Sequence, residues 1–423
     1  MRVATTSHDV ENGNGGSATA AGDWGARDAD LQPSICLVGP GWRFTSGISY
    51  YTCLFANSLA DGHQASVIQL RQLIPRFLYP GKEHVARHRP DATYSEGIPV
   101  FDGVNWWWGL SIARSIAFMR AQRPRVVVMQ WWTAATLHTY LVLALVARIL
   151  GARVVLDMHE SQDPGEASFR LLRSVGRRGL GLLMRVADGA MVHSKADQQL
   201  LTEAYNTRNL RIVVAPLGPF DQYVEDADDE SIGVLIETVK SAPRPRVTNL
   251  LFFGLIRPYK GLEDLLTAFE CMSDDEAAEF WLTIVGETWE LDPSRLIEAS
   301  RRRDRITLVN SYVPDGVVAA AFSHADVVVL PYRRSSGSAT LQVAMSRGLP
   351  VVVTDVGGLS EAVEDYEGAV LVRAGDATEL RRGIVKARSM AGRAYANPRS
   401  WTDSANALLE AAGIRCGTEQ RVQ

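Results

Sequence analysis

The sequence predicts an α/β protein with two doubly wound domains, each organised around a parallel sheet. Short apolar runs alternate with amphipathic or apolar helical segments in both halves of the chain, which is typical of parallel sheets covered by helices. An acidic, proline-containing stretch from Asp221 to Arg246 interrupts this alternation. The chain has 423 residues, enough for about two domains with a hydrophobic core each.

The overall composition favours a soluble protein of the reducing cytosol. The formal net charge is -4 and 46% of the residues are hydrophobic, a balance that does not indicate a nucleic-acid partner. The four cysteines are widely spaced and form no Cys-x-x-Cys pair, so neither a zinc site nor a disulfide framework is predicted. The most hydrophobic stretch, Ala134 to Leu150, is short and interrupted by polar residues, which favours a buried helix over a membrane span.

The first domain is predicted over residues 33–218, after a tail at residues 1–32. The tail is rich in small and polar residues without an apolar run, so we expect it to be disordered and to hold no signal peptide. Strands are predicted at residues 35–38, 66–70, 126–129, 154–156, 190–192 and 212–214. The first strand leads into a glycine-rich turn, Gly39 to Gly47, whose spacing does not match a dinucleotide fingerprint. Residues 219–247 are predicted as a linker.

The second domain is predicted over residues 248–394. Its strands are expected at residues 249–253, 281–285, 306–309, 327–330, 351–354 and 369–372. The turn after the strand at 327–330 contains Ser336, Gly337 and Ser338 and precedes a helix. In a parallel sheet this turn lies at the carboxyl edge, where the N–H groups at the start of a helix attract anions.

Two cations, Arg257 and Lys260, follow the strand at 249–253 and therefore lie at the same edge of the second sheet. Taken alone, each cation is equally well explained as a solvated surface group, and the serine-rich turn as a capped helix start. A helix N-terminus already favours negative charge, so two cations beside it indicate an arriving anion. Together these features predict a diphosphate site.

Three segments carry a resemblance to a known family: FFGLIRPYKGLEDLLTAF, YVPDGVVAAAFSHADVVVLPY and SRGLPVVVTDVGGLSE. They resemble the GT-B glycosyltransferases of the group 1 class, also called glycosyltransferase family four, and the resemblance covers most of residues 35–372. It implies two facing Rossmann-like domains with a cleft between them, the first for an acceptor and the second for a nucleotide-sugar donor. It also implies that a C-terminal helix within residues 395–415 crosses back onto the first domain.

The resemblance assigns roles to individual residues. His159 matches the family's N-domain histidine and would hold the transferred sugar, although a lone histidine is more often structural. Arg257 and Lys260 would clamp the donor diphosphate. The donor-binding residues would be Gly47, Tyr312, Val313, Ser336, Gly337, Ser338 and Glu361. Within this set, Tyr312 and Val313 would hold the base through main-chain groups, while for Glu361 a helix-dipole interaction is an equal explanation.

The implied reaction is retaining transfer of a hexose from a UDP- or GDP-type sugar to a glycan, a lipid-linked sugar or a small glycoside. It would require no metal or other cofactor. Two alternatives stay open: another enzyme on the same fold, such as a phosphorylase or an epimerase, and a nucleotide-sugar-binding subunit without catalysis.

The sequence departs from the family pattern at three positions. The family often has two glutamates separated by seven residues, and Ser335 and Val343 stand at those positions. Leu255 stands where an arginine often follows the glycine, so Arg257 would supply that charge two positions later. Some members of the class resemble this serine version, so we interpret it as a subgroup of the family. The intact Arg257, Lys260 and His159 favour activity.

A basic amphipathic helix is predicted over residues 167–186. Its arginines alternate with leucines in a pattern that suits anionic lipid headgroups. The sequence therefore raises the hypothesis of a cytoplasmic protein that contacts the membrane surface through this helix. Five tryptophans in the same half, at positions 106, 107, 108, 131 and 132, could pack in the core or stack on sugar rings.

Overall fold

Two parallel sheets organise the protein, and this confirms the predicted fold class. The computed structural model describes residues 33–42, 47–72, 92–160, 170–225, 230–243, 247–289 and 292–414. The predicted tail at residues 1–32 lies outside the described residues, as do short parts of the predicted linker (226–229 and 244–246) and the start of the basic helix at 167–169.

The first sheet has seven strands. They are β1 (Ser34–Pro40), β2 (Gln64–Gln72), β3 (Val100–Asn105), β4 (Val126–Trp131), β5 (Arg153–Met158), β6 (Gly189–Val192) and β7 (Arg211–Val214). Their order across the sheet is β3-β2-β1-β4-β5-β6-β7, and all pairs are parallel. The order reverses between β1 and β4, the place where doubly wound sheets open a crevice at the carboxyl ends of the strands.

The second sheet has six strands. They are β8 (Thr248–Phe253), β9 (Phe280–Val285), β10 (Ile306–Val309), β11 (Val327–Leu330), β12 (Val351–Thr354) and β13 (Ala369–Val372). Their order is β10-β9-β8-β11-β12-β13, again with parallel pairs throughout. Here the order reverses between β8 and β11, so the turns after these two strands lie side by side at the carboxyl edge.

Helices connect the strands. In the first half they are α1 (Gly47–Ala60), α2 (Leu110–Gln122), α3 (Leu137–Ile149), α4 (Arg170–Val186) and α5 (Lys195–Ala204). The second half contains α6 (Glu230–Val239), α7 (Leu262–Glu270), α8 (Asp274–Ala278), α9 (Ser294–Ala299), α10 (Asp315–His324), α11 (Ala339–Ser346), α12 (Gly357–Ala362), α13 (Ala377–Arg388) and α14 (Trp401–Ala411). Serine side chains cap α5, α11 and α14 by accepting a backbone N–H of the first turn.

Apolar side chains cover both faces of each sheet, as expected for strands that read as continuous hydrophobic runs. One core lies between the first sheet and α2, α3 and α4, and another lies between the second sheet and α7 and α13. A third core is shared by the two halves and includes Phe55 of α1, Phe322 of α10 and Leu408 of α14. This shared core joins the two sheets.

The C-terminal helix α14 packs on the first sheet although it follows the second in sequence. The indole Nε1 of Trp401 donates to the carbonyl of Pro219 at 2.9 Å, and its ring stacks on Phe55 with centroids 5.8 Å apart. Ser404 donates to the carbonyl of Pro216 at 3.2 Å. The chain therefore crosses between the halves twice.

Two elements differ from the sequence-based expectations. The edge strand β3 was not predicted, because Asp102 and Gly103 interrupt its apolar pattern and the side chains are mostly half-exposed. Within the predicted linker, α6 packs against α10 and buries Ile236 and Val239. Both differences concern short segments whose secondary structure depends on contacts with neighbouring elements of the fold.

Candidate active site

Lys260 lies at the carboxyl edge of the second sheet. Its Nζ is 5.2 Å from the ring centroid of Tyr332, which follows β11. A Cβ added to Gly254 would lie 2.7 Å from this Nζ and 3.6 Å from Oγ1 of Thr340. Because Thr340 belongs to the first turn of α11, the ammonium group and the N-terminus of that helix face the same space above Gly254.

Arg257 lies just before Lys260 and is held by an aromatic ring. Its Cζ is 4.8 Å from the ring centroid of Trp289, a cation–π contact that restricts the guanidinium. The turn that carries both cations ends at Gly261, which has φ 69°. A Cβ there would lie 1.9 Å from the carbonyl oxygen of Pro331, so only glycine lets this turn reach the end of β11.

Ser338 is the N-cap residue of α11, the helix whose first turn contains Thr340. Its Oγ accepts the N–H of Leu341 at 3.2 Å, and the residue is 7% exposed. As an N-cap acceptor this hydroxyl still has its proton to donate. The remaining N–H groups of the first turn and the hydroxyl proton therefore offer donors to an anion at this helix start.

The other two residues of the serine-rich turn pack against neighbouring loops. A Cβ on Gly337 would lie 3.1 Å from Cδ1 of Leu217, a residue of the first half. A Cβ on Gly358 would lie 2.2 Å from the carbonyl oxygen of Ser336, so this glycine allows the two loops to touch. Gly337 is therefore explained at least in part by contact with the first domain.

The N-terminus of α1 meets the second domain at two points. A Cβ on Gly47, the first residue of α1, would lie 3.0 Å from Cβ of Ala339, the first residue of α11. One helical turn later, the hydroxyl of Tyr50 donates to Oδ1 of Asp315, which lies at the start of α10. Burial, followed by the nearby Tyr223 and Asp315, raises the pKa of Tyr50, so its proton stays in this bond. Tyr312 and Val313 lie in the loop just before this contact.

His159 follows β5 and belongs to a buried group of three side chains. Its Nε2 lies 3.2 Å from Oδ2 of Asp157, and its Nδ1 lies 3.2 Å from Nε2 of His193. His193 follows the neighbouring strand β6, and its Nε2 is also 3.3 Å from Oδ1 of Asp157. The three side chains are 0 to 7% exposed. Tyr51 covers the group from α1, with its ring centroid 4.4 Å from that of His159.

The pKa values of these three groups move in different directions. Burial alone would raise the pKa of Asp157, but the charges and hydrogen bonds of the two histidines outweigh it and hold this pKa well below its usual range. Burial lowers the pKa of His159, an effect that Asp157 only partly offsets. For His193 the hydrogen bond and charge of Asp157 overcome burial, and its pKa is raised.

The ligand atoms of Asp157, His159 and His193 all lie within 4.8 Å of one another, so among the described residues these three could hold a metal ion. Imidazole and carboxylate groups suit Zn²⁺. The contacts within the group already provide each nitrogen of His159 with a polar partner. Oδ1 of Asp157 is buried and accepts no hydrogen bond from a described residue, so the contacts within the group leave one ligand atom unsatisfied.

Glu361 makes a contact that the sequence did not indicate. Its Oε2 accepts the N–H of Lys195 at 2.6 Å and its Oε1 accepts the N–H of Ala196 at 2.9 Å. These are the first residues of α5 in the first domain, so the carboxylate of a second-domain residue fills an anion site at a helix start. In this arrangement both oxygens of Glu361 are engaged between the domains.

Two of the three departures from the family pattern, Ser335 and Val343, lie in different environments. Ser335 is half-buried, and its Oγ donates to the carbonyl of Gly337 at 3.0 Å. Val343 is 3% exposed and belongs to the shared core. A side chain at position 343 therefore serves packing in this protein.

The sequence did not point to Asp157, His193, Tyr50 or Asp315 as site residues. A signal existed for His193, because it follows the strand next to the one that His159 follows, and Met158 pairs with Val192 in the sheet. Neighbouring parallel strands bring their carboxyl ends together, so the two histidines had to be close once β5 and β6 were adjacent. No local pattern connects Tyr50 with Asp315, because they lie 265 residues apart.

Two family models match this chain. One, described as "Glycosyl transferase 4-like domain", matches residues 46–218, and the other, described as "Glycosyl transferases group 1", matches residues 247–389. The first match begins after β1 and includes β2 to β7, and the second includes β8 to β13. Together they include the site residues described above.

Curated relatives match over part of their length. The GDP-mannose:glycolipid 4-beta-D-mannosyltransferase of Xanthomonas campestris pv. campestris is 40% identical over 104 residues, which is 24% of this chain and 29% of the relative. The D-inositol 3-phosphate glycosyltransferase of Rhodococcus opacus is 28% identical over 300 residues, 66% of this chain and 62% of the relative. The match therefore spans less than two thirds of either relative.

Solved structures share the fold. A sucrose-phosphate synthase from Thermosynechococcus elongatus superposes with a TM-score of 0.60 at 16% identity, covering 90% of this chain and 95% of that one. The catalytic domain of starch synthase IV from Arabidopsis thaliana gives a TM-score of 0.57 at 11% identity, covering 91% and 96%. The two parallel sheets and these structural neighbours show the GT-B fold. The two family models, which match residues 46–218 and 247–389, show that the chain belongs to the group 1 glycosyltransferases of the family-four type.

Proposed function

We propose that this protein is a retaining glycosyltransferase that moves a hexose from a UDP- or GDP-type sugar to a glycan, a lipid-linked sugar or a small glycoside. The observation that carries the proposal is the convergence of the Lys260 ammonium and the N-terminus of α11 above Gly254. A cation and a helix start facing one space suit a diphosphate. The diphosphate is also the leaving group, whose growing negative charge such groups stabilise in the transition state.

The reaction proceeds with retention at the anomeric carbon. The bond from this carbon to the diphosphate breaks, the acceptor oxygen forms its bond on the same face, and the acceptor proton passes to the departing phosphate oxygen. His159 would hold the sugar during an oxocarbenium-like state, and Tyr312 and Val313 would hold the base through their main chain. No metal is required, because Lys260, Arg257 and the helix start supply the positive charge.

Hydrolysis of the donor to water tests the donor site without knowledge of the acceptor. Purified protein is incubated with GDP-mannose, UDP-glucose and UDP-N-acetylglucosamine, with and without EDTA, and nucleoside diphosphate release is measured. We expect release from one nucleotide family, unaffected by EDTA, and about 100-fold less release for Lys260→Ala. Lys386→Ala, an exposed cation on α13, is the matched control and should behave as wild type.

The same experiment separates the alternatives. A phosphorylase would require inorganic phosphate for turnover, an epimerase would change the sugar without releasing the nucleoside diphosphate, and a binding subunit would show nucleotide-dependent stabilisation without turnover. Proton NMR of the product gives its anomeric configuration. A configuration inverted relative to the donor sugar would contradict the retaining mechanism.

Two features support a carbohydrate or lipid-linked acceptor. Asn105, Trp106 and His138 lie close together at the carboxyl ends of β2 and β3. Trp106 and Trp107 expose 36% and 58% of their surface, and indole rings stack well on sugars. The Xanthomonas relative is named for GDP-mannose and a glycolipid, so GDP-mannose with lipid-linked oligosaccharides is the first pair to test.

We further propose that the exposed face formed by α3 and α4 contacts the cytoplasmic surface of an anionic membrane. In the described part of the chain, no helix combines the length and apolar character needed to cross a bilayer. The apolar side of α4 is largely used in the core, where Leu180, Leu183 and Met184 are buried. The exposed apolar residues come mainly from the neighbouring helix α3 and the residue after it: Leu145 (52%), Ile149 (83%) and Leu150 (39%), with Leu182 (48%) of α4.

Exposed arginines accompany this apolar row, namely Arg177, Arg178 and Arg185 of α4. Basic residues beside exposed leucine and isoleucine suit anionic headgroups. Co-sedimentation with vesicles of phosphatidylglycerol at low salt tests the proposal. We expect binding that is lost in Ile149→Ser and kept in Val234→Ser, a control at an exposed valine of α6. Equal sedimentation of both variants, or none by the wild type, would contradict it.

A further inference from the structure

Residues 106–110, which we call the tryptophan turn, connect β3 to α2 and present apolar side chains to solvent. Trp106 and Trp107 are 36% and 58% exposed, and Leu110, the first residue of α2, is 72% exposed. An exposed leucine has no group that could bind a sugar hydroxyl, so stacking on a carbohydrate would account for only part of this surface. Large exposed apolar side chains that lie together mark an interaction site.

The tryptophan turn is held against α3 by its third aromatic residue. Trp108 has φ 60°, a left-handed conformation that a bulky residue adopts only where its surroundings impose it. Its indole Nε1 donates to Oγ1 of Thr139 at 3.0 Å, and its ring stacks on His138. Nε2 of His138 donates to the carbonyl oxygen of Trp106 at 2.6 Å. Trp108 therefore anchors the turn, while the two preceding tryptophans are exposed.

The turn forms one end of an apolar row along α3. His138 is the second residue of this helix, and Leu145 and Ile149 lie two and three helical turns further on the same face. These two residues are 52% and 83% exposed. The row is about 16 Å long, given the rise per residue of an α-helix. The tryptophan turn therefore extends the exposed face of α3 and α4 to the carboxyl edge of the first sheet.

The charge of this region complements an anionic surface. The chain contains 48 acidic residues, yet none lies between Asp102 and Asp157, a stretch that includes α2 and α3. Arg148 and Arg153 of this stretch share Asp188. Four further exposed arginines lie on or just after α2, which packs beside α3, at positions 114, 120, 123 and 125. The stretch therefore carries positive charge without an acidic residue of its own, which suits anionic headgroups.

We infer that the tryptophan turn inserts Trp107 and Leu110 into the interfacial layer of an anionic membrane, and that the acceptor is a sugar attached to a lipid of that membrane. This inference rests on the proposed function. Tryptophan is favoured at the boundary between headgroups and acyl chains, because its ring is apolar and its N–H is polar. A leucine beside it adds apolar area that enters the same layer.

The position of the turn connects the membrane with the cleft. The strand order β3-β2-β1-β4 places the carboxyl end of β3 two strands, or about 10 Å, from the point where the order of the first sheet reverses. A doubly wound sheet opens its crevice at this point. A protein seated on the bilayer through α3 and the tryptophan turn thus has its acceptor half beside the lipid surface. The lipid end of the acceptor would stay in the bilayer while its terminal sugar reaches the cleft.

Quenching of tryptophan fluorescence by brominated lipid tests the insertion. The vesicles contain phosphatidylglycerol and a phosphatidylcholine brominated in its acyl chains, so an indole is quenched only when it reaches the acyl region. Among the tryptophans that the structure describes, only Trp106 and Trp107 are exposed. We expect the wild type to be quenched and Trp107→Ser to lose at least about half of this quenching. Equal quenching of the two proteins, or none in the wild type, would overturn the inference.

Leu110→Ser tests the same surface with all tryptophans in place. The control is Val234→Ser, at a valine of α6 that is 62% exposed. In sedimentation with phosphatidylglycerol vesicles, we expect the affinity of Leu110→Ser to fall at least about fivefold and that of Val234→Ser to stay within about twofold. Equal affinities would contradict the insertion of Leu110. A soluble oligosaccharide that shifts the tryptophan emission, in a protein that does not bind vesicles, would assign the turn to a carbohydrate and overturn the inference.

Hydrolysis of the soluble donor separates this inference from the proposed function. Leu110→Ser and Val234→Ser should release nucleoside diphosphate at the wild-type rate, because neither residue belongs to the donor site. A wild type that hydrolyses no donor would refute the proposed function. A wild type that hydrolyses the donor but neither binds vesicles nor shows quenching would refute only the insertion of the tryptophan turn.

Discussion

Replacing Glu361 by alanine should weaken the connection between the two domains. The side chain accepts two backbone N–H groups at the start of α5, at 2.6 and 2.9 Å. A hydrogen bond to a charged group contributes about 1.5 to 3 kcal/mol when it is well shielded. Because Lys195 is exposed and Glu361 only half-buried, solvent weakens both bonds, so we expect Glu361→Ala to cost about 1 to 3 kcal/mol in total.

A double-mutant cycle isolates this contact from other effects of the substitution. Lys195→Pro removes one of the two N–H donors at the first helical position, where proline is tolerated. The preceding Ser194 has φ -151° and ψ 159°, an extended conformation that proline accepts in its neighbour. The coupling energy between Glu361→Ala and Lys195→Pro should be about 0.5 to 2 kcal/mol.

The assay is urea unfolding followed by circular dichroism and tryptophan fluorescence. Glu364→Ala, at an exposed carboxylate three residues later, is the matched control and should change the free energy of unfolding by less than about 0.5 kcal/mol. A coupling energy indistinguishable from zero, or equal effects of Glu361→Ala and Glu364→Ala, would refute the contact as a source of stability.

Three further predictions concern the fold around the site. Gly261→Ala should lower the free energy of unfolding by more than about 2 kcal/mol, because its Cβ would lie 1.9 Å from the carbonyl oxygen of Pro331. Gly151→Ala is the control, since Gly151 also has a positive φ but no neighbour within 4 Å of the added Cβ, and it should cost only about 1 kcal/mol of backbone strain. Trp401→Ala should lower the free energy of unfolding by about 2 to 4 kcal/mol in urea, since it removes an aromatic contact of α14 with the first domain. The pKa of Asp157 lies below its value in the unfolded chain, so its contribution to stability is present above about pH 4 and is lost on further acidification. Asp157→Asn should therefore flatten the acidic part of the curve of unfolding free energy against pH. An unchanged slope would contradict the direction of the pKa shift.

Most strands could be predicted because their sequences are continuous apolar runs. Four strands of the second sheet, from β10 to β13, have the bounds or nearly the bounds expected from the sequence. Parallel strands buried on both faces have hydrophobic side chains at nearly every position, so they can be recognised from the sequence without knowledge of their neighbours in the sheet. The edge strand β3 lacks this constraint, since much of its side-chain surface stays accessible and its register with β2 is irregular.

The proximity of Lys260 and Ser338 could be predicted from the sequence for a related reason. Lys260 and Ser338 follow two strands of one parallel sheet, and the strand order β9-β8-β11 makes these strands neighbours. The turns that carry Lys260 and Ser338 therefore lie close together at the carboxyl edge of the sheet. The roles of these residues in binding a donor stay predictions until the hydrolysis experiment is done.

The sequence by itself determined the α/β class, the division into two halves, the family and the residues that follow the strands. These depend on local periodicity and short motifs, which a chain carries whatever its tertiary arrangement. Only the tertiary structure decided that Glu361 caps a helix of the other domain, that Tyr50 donates a hydrogen bond to Asp315, and that His193 contacts His159. Such contacts join residues from 34 to 265 positions apart, and their geometry exists only after both sheets have formed and packed together.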